Sequence, residues 1–172
     1  MSDRPYMAGL PADLPLKHPA SMVSTWFGVG LIPLAPGTWG SLAALPLAWV
    51  IQTVAGPYAL LAASAVVFGL GWWAATVFIS HSEVSDPQAI VVDEVAGQLL
   101  VLAVAPATFW YYLAGLVLFR FFDVRKPWPV RWADRSLKGG FGVMADDVLA
   151  GVYGAALLFG LVLATGGGHV FG

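Results

Sequence analysis

Apolar residues run along this chain in long blocks, and polar residues gather between them. Helix-compatible blocks rich in Ala and Leu occupy 41–55, 57–80, 87–105, 107–122 and about 145–165, with a shorter amphipathic stretch near 19–29. Strand-like alternation is scarce, which predicts an all-α fold. Gly56-Pro57 separates the first two blocks, Pro106 interrupts the third, and Pro127 and Pro129 close the fourth. Read as simple spans, these blocks would put the acidic segment 83–94 and the polar loop 120–147 on opposite faces of a membrane. If Pro106 turns the chain instead, 87–105 and 107–122 form a hairpin like 41–55 and 57–80, and every polar motif returns to one end. The expectation is a compact multi-helix membrane-associated bundle of helical hairpins with the polar motifs gathered at that end.

Composition places the bundle in a lipid setting. Of 172 residues, 59% are hydrophobic and 10% charged, against an apolar usage of about 45–50% in soluble domains. One domain is expected over 19–165, between tails at 1–18 and 166–172. Helices of 15 to 19 residues rise about 22 to 28 Å against a hydrocarbon core of about 30 Å, so some are expected to be embedded without crossing. The N-terminal segment has mixed charge and several prolines, unlike a signal peptide. Arg4, Lys17 and the six bases between Arg120 and Lys138 share the polar end, which the positive-inside rule makes cytoplasmic. Cysteine is absent, which excludes disulfides, thiolate metal sites and cysteine nucleophiles. The tryptophans and tyrosines read as core or interfacial anchors, and His18, His81 and His169 are isolated.

Four polar motifs carry candidate chemistry. In "DPQAIVVDEVAG" (86–97), Asp86 before Pro87 has the form of a helix N-cap, placing Asp93 about two turns further along nearly the same face. Gly97, one turn beyond Asp93, leaves room for a close neighbour. In "FRFFDVRKPWP" (119–129), Asp123 stands beside Arg125 and Lys126 at a helix end, either a site or a basic cluster for anionic headgroups. In "GGFGVMADDVLAG" (139–151), Asp146 and Asp147 open an apolar helix on which Asp147, Gly151 and Gly154 share a face. In "PLAPGTWGS" (33–41), a glycine-rich turn offers backbone N–H groups and the hydroxyls of Thr38 and Ser41 to an anion.

Carboxylates without imidazole or thiolate suit a hard cation, Mg²⁺ or Mn²⁺. Grouping Asp93, Glu94, Asp123, Asp146 and Asp147 without one would be costly through like-charge repulsion. A cation beside Lys and Arg suits phosphoryl transfer. The alternative is a small membrane cation transporter or channel subunit, which would spread its acids over several depths.

In order and spacing, "GLIPLAPGTWGSLAALPL", "DPQAIVVDEVAGQ", "FRFFDVRKPWPV" and "KGGFGVMADDVLAG" resemble the phosphatidylglycerophosphatase A family over about 30 to 165. The resemblance implies a Mg²⁺-dependent lipid phosphatase that hydrolyses phosphatidylglycerophosphate to phosphatidylglycerol in the bacterial inner membrane, with its active site on the cytoplasmic face. By position it implies Asp86, Asp93, Glu94, Asp123 and Asp147 as metal ligands, and Asp93, Glu94, Asp123, Asp146 and Asp147 as the catalytic set. Thr38, Ser41, Arg125 and Lys126 are expected to hold the phosphate. Water is the expected nucleophile, with an aspartyl-phosphate route through Asp146 or Asp123 as the runner-up. A phospholipid and the membrane are the expected partners, nucleic acid is not, and the oligomeric state stays open.

Other phosphatase routes lack their residues. There is no Lys-x6-Arg-Pro segment of the type 2 phosphatidic acid phosphatases, no Asp-x-Asp nucleophile motif of the haloacid dehalogenases, and no Asp-Gly to open a CDP-alcohol transferase motif.

Overall fold

The computed structural model describes residues 9–84 and 87–166, so Asp86 lies outside the described residues. Among these, six α-helices and one 3₁₀ turn occur, and no strand. They are α1 (Pro19–Ser24), α2 (Pro36–Ser80), α3 (Val92–Leu102), α4 (Phe109–Arg125), α5 (Val130–Ser136) and α6 (Gly139–Ala164), with the 3₁₀ turn at Val29–Leu31.

The 45 residues of α2 would reach about 67 Å if straight. They do not, because Gly56 adopts φ 81°, ψ −177° inside the helical run. That conformation is closed to most side chains and reverses the chain. Residues from both ends of α2, Gly37 and Ile79, consequently line one cavity. The hairpin expected at Gly56-Pro57 is present, as is the second one through the 103–108 turn: Asp93 near the start of α3 and Asp123 near the end of α4 face that same cavity.

The eleven residues of α3 form the axis of the bundle, and nine of them are buried. Its apolar side chains join three clusters. Val92 and Ala96 meet Ala75, Phe78 and Met144; Val95, Leu99 and Leu102 meet Ala44, Ala48 and Leu60; Val101 meets Phe119, Ala150 and Leu158. A helix of this length rises about 16 Å, too little to cross a bilayer. By length and composition α2 and α6 are the helices apolar enough to do so among the described residues.

Several boundaries differ from the sequence pattern. The third helix starts at Val92, not at Pro87, because Pro87–Ile90 forms a turn closed by Ile90 N–H donating to the Pro87 carbonyl at 3.0 Å. The Asp86-Pro87 pair therefore does not open α3, whose N-cap is Val91. The Val91 N–H instead donates to the Ser24 carbonyl at 2.9 Å, tying the entry of α3 to α1. At the other ends, α2 begins at Pro36 and α6 at Gly139, both earlier than the apolar blocks imply. Within the stretch expected to be a tail, Leu14 is buried in the first cluster.

Candidate active site

A cavity of about 410 Å³ opens at the end of the bundle where the helices converge. Each wall has a local reason for its place. Ala35 caps α2 in a left-handed conformation (φ 50°), and Pro36 and Gly37 follow as the first helical turn. A Cβ at Gly37 would stand 2.0 Å from Glu94 Oε1 and 3.1 Å from an Arg120 nitrogen, so glycine lets α2 begin directly against the acidic turn of α3. Gly139 opens α6 at φ 66°, and a Cβ at Gly140 would meet the Thr76 backbone N at 2.5 Å. Gly37 and Gly140 serve close approach between helices, whereas Gly139 has open space around it and serves the positive φ.

The decisive geometry is where α3 crosses α6. A Cβ at Gly97 would lie 2.8 Å from the Asp147 carbonyl oxygen, and one at Gly151 would lie 2.9 Å from the Gly97 carbonyl oxygen. Asp93 precedes Gly97 by four residues, and Asp147 precedes Gly151 by four. Residues four apart share a helix face, so the crossing places the two acids together, one turn towards the cavity. Glu94 joins them, and one carboxylate oxygen from each of Asp93, Glu94 and Asp147 lies within 4.8 Å of the others.

The surroundings of these acids are unusual. Asp93 Oδ1, Glu94 Oε2 and Asp147 Oδ2 are buried and have no hydrogen-bond partner among the described residues. Burial, with the like charges of Glu94 and Asp147 added, pushes the Asp93 carboxyl well above its ordinary range. Burial also raises Glu94, against the lowering effects of its hydrogen bond with Asp93 and of the Arg120 charge. Isolated buried carboxylates are costly, and three together with orphaned oxygens are the donor set a hard cation would satisfy. Acids in a first helical turn also complement the helix dipole, which covers Asp93 and Glu94. It does not cover Asp147, which lies two turns inside α6 and does not open it.

A second ring of charge is paired within the protein, two bases against three further acids. An Arg120 nitrogen sits 2.6 Å from Asp123 Oδ2 and 3.7 Å from Glu94 Oε1. The Lys126 ammonium donates to Asp146 Oδ2 at 2.6 Å and to Asp134 Oδ1 at 2.5 Å. Burial works against that ammonium, yet the hydrogen bonds with Asp134 and Asp146 outweigh it and hold its pKa above the ordinary lysine value.

Of the residues expected from sequence, Asp93, Glu94, Asp123, Lys126, Asp146 and Asp147 line the cavity together. Thr38, Ser41 and Arg125 are absent from its lining. Thr38 and Ser41 stand inside α2, where the Ser41 hydroxyl donates to the Gly37 carbonyl at 3.0 Å. Arg125 is exposed and its guanidinium lies 5.5 Å from the centre of the Phe121 ring. Three charged cavity residues carry no weight in the motif reading: Arg120, Asp134 and Lys138. Arg120 alone left a signal, as the single charge preceding Asp123 by three residues on a predicted helix.

Comparison with known proteins identifies the family. The family profile for phosphatidylglycerophosphatase A matches residues 22–162, which include every described acid of the cavity. The chain belongs to the phosphatidylglycerophosphatase A family. A family member from Haemophilus influenzae is 41% identical over 147 residues, covering 85% of this chain and 90% of the relative. One from Escherichia coli is 39% identical over 154 residues, covering 85% of each. A Bacteroides thetaiotaomicron protein, provisionally named phosphatidylinositol-3-phosphatase, is 40% identical over 154 residues, covering 83% of this chain and 95% of its own. No solved structure matches the chain. Membership of the phosphatidylglycerophosphatase A family makes the chain a phosphoric monoester hydrolase.

Proposed function

We propose that the chain hydrolyses the terminal phosphate of phosphatidylglycerophosphate, with Mg²⁺ as cofactor, at the cytoplasmic face of a bacterial inner membrane. The observation that carries the cofactor is the trio Asp93, Glu94 and Asp147, which brings one carboxylate oxygen from each within 4.8 Å of the others and leaves a buried oxygen on each without a hydrogen-bond partner, with Arg120 near Glu94 alone. These three residues would hold the ion. When bound, Mg²⁺ supplies Lewis-acid neutralisation of phosphoryl oxygens and lowers the pKa of water.

The chain's own residues do the rest. Lys126 and Arg120, with Lys138 at the rim, supply positive charge to phosphoryl oxygens and to the diester of the headgroup. In the reaction a water oxygen bonds to phosphorus, the ester bond to glycerol breaks, and the departing oxygen takes up a proton. Asp123 and Asp146 are each paired with a base, which supports water over an aspartyl nucleophile. Trapping a phosphoryl-enzyme with labelled substrate, or retention of configuration at phosphorus, would overturn that choice, and inversion supports it.

The acids gather at one cavity instead of at successive depths, which disfavours an ion path. The apolar α2 and α6 suit a bilayer setting that keeps acyl chains in lipid while the headgroup enters the cavity. Phosphate release from phosphatidylglycerophosphate in detergent micelles, with Mg²⁺ or with EDTA, tests the reading. Release that requires the cation and collapses in folded Asp93→Asn supports it. Faster release from phosphatidylinositol 3-phosphate supplied in parallel would reassign the substrate, and no release from either would overturn it.

A further inference from the structure

Lys126 ends α4 in a left-handed conformation (φ 43°, ψ 65°) that is unfavourable for a residue with a side chain. Two carboxylates hold its ammonium, and they are held very differently themselves. Asp146 belongs to α6, and its side chain is 9% exposed. Asp134 is carried by α5, a seven-residue helix with only Val130 and Ala133 buried, and its side chain is 36% exposed. Both line the cavity, one from the long helix α6 and the other from the short, mostly exposed α5.

This arrangement has a consequence for an anion. An ammonium has three donors, and two of those on Lys126 are engaged by carboxylates. A phosphate approaching Lys126 meets the negative charge of Asp134 beside the same nitrogen, and like charges at that range repel. Of the two ion pairs, the more exposed is the weaker, so Asp134 is the partner that yields.

Given the phosphatase reading above, on which this rests, we propose that Asp134 is a positioning residue acting through Lys126. Its carboxylate occupies in the free chain the donor position that a phosphate takes in the complex. It returns to that position when inorganic phosphate leaves. Asp134 therefore weakens phosphate binding and speeds clearance of the product.

Inorganic phosphate is the probe. Its binding to the full chain in detergent micelles with Mg²⁺ present is measured by calorimetry, beside its inhibition constant in lipid hydrolysis. Asp134→Asn is expected to bind phosphate about fivefold more tightly, the scale of an exposed ion pair. Its KM and kcat should both fall, because the phosphate product leaves more slowly. Asp134→Glu should restore the wild-type values, and in a Lys126→Met background Asp134→Asn should change nothing. Should Asp134→Asn fail to fold, Asp134→Ser is read in its place.

Unchanged or weaker phosphate binding in a folded variant overturns the proposal. So does an effect that persists without Lys126, or an absence of phosphate binding in both chains. Because binding is read without turnover, a wild type that binds phosphate but hydrolyses no lipid phosphate would sink the phosphatase reading alone, and the Asp134 comparison would still be decided.

Discussion

At the crossing of α3 and α6 an added methyl group has nowhere to go, whereas at the turn of α2 it has open space and the obstacle is the backbone angle. Gly97 and Gly151 each lie within 3 Å, measured from a would-be Cβ, of a carbonyl on the other helix, and Gly56 has nothing within 4 Å but sits at φ 81°. The same residue type thus answers two physical demands. The first demand is coupled to the site, because Asp93 and Asp147 ride one turn from the contact. The second only closes a hairpin at the opposite end, and that end carries no charged residue between Lys17 and Glu83.

The sharpest test of this contrast is Gly97→Ala, or Gly151→Ala. Either should separate α3 from α6 and spread the carboxylate trio. Overpacking of this kind is worth about 1–3 kcal/mol of stability, and a displacement near 1 Å at a reacting centre can lower turnover about a hundredfold. Phosphate release beside thermal unfolding measures both. Activity retained at wild-type level in Gly97→Ala would mean that the crossing does not set the site.

The next effect concerns pH and cation together. The folded-state pKa of Asp93 is raised by burial and by its acidic neighbours. A raised carboxyl contributes stability that is fully present below the unfolded-state value of about 4 and is lost as pH rises through the folded-state value. Metal-free protein should therefore lose stability as pH rises through that window. Mg²⁺ should stabilise the chain more at the upper end of the window than at the lower, and Asp93→Asn should flatten the dependence. Melting curves with EDTA and with Mg²⁺ across that range check the sign.

Gly56→Ala should have a smaller effect. Gly56 lies at φ 81°, ψ −177°, a region essentially reserved for glycine, and a side chain there costs about 1–3 kcal/mol, so the melting temperature falls while the folded fraction keeps its turnover. A loss of turnover equal to that of Gly97→Ala would erase the distinction between the two glycines. The smallest effect is expected for Arg125→Ala, because that guanidinium lies over Phe121 and outside the cavity. Its KM should stay within about twofold of wild type, the scale of an exposed charge.

Much of this was legible in the residue order. The apolar blocks, the hairpins at Gly56-Pro57 and near Pro106, and the gathering of Asp93, Glu94, Asp123, Lys126, Asp146 and Asp147 follow from periodicity and from the scarcity of charge between them. Helix starts were less legible. The entries of α2 and α6 are glycine-rich, and glycine there signals a turn by propensity, while close packing against Glu94 and Thr76 makes it helical. Arg125 and Arg120 are equivalent by charge and differ only in which side of α4 faces the bundle.

Sequence alone determined the chemistry available: carboxylates and bases without cysteine, spaced along apolar helices, because residue type and helical period are local properties. Tertiary structure decided which of those groups meet. A crossing held by Gly97 and Gly151 brought Asp93, Glu94 and Asp147 together with a buried oxygen unsatisfied on each, and the convergence of α4, α5 and α6 gave Lys126 to Asp134 and Asp146. Those outcomes depend on distances between segments far apart in the chain, and such distances are set by how the helices pack.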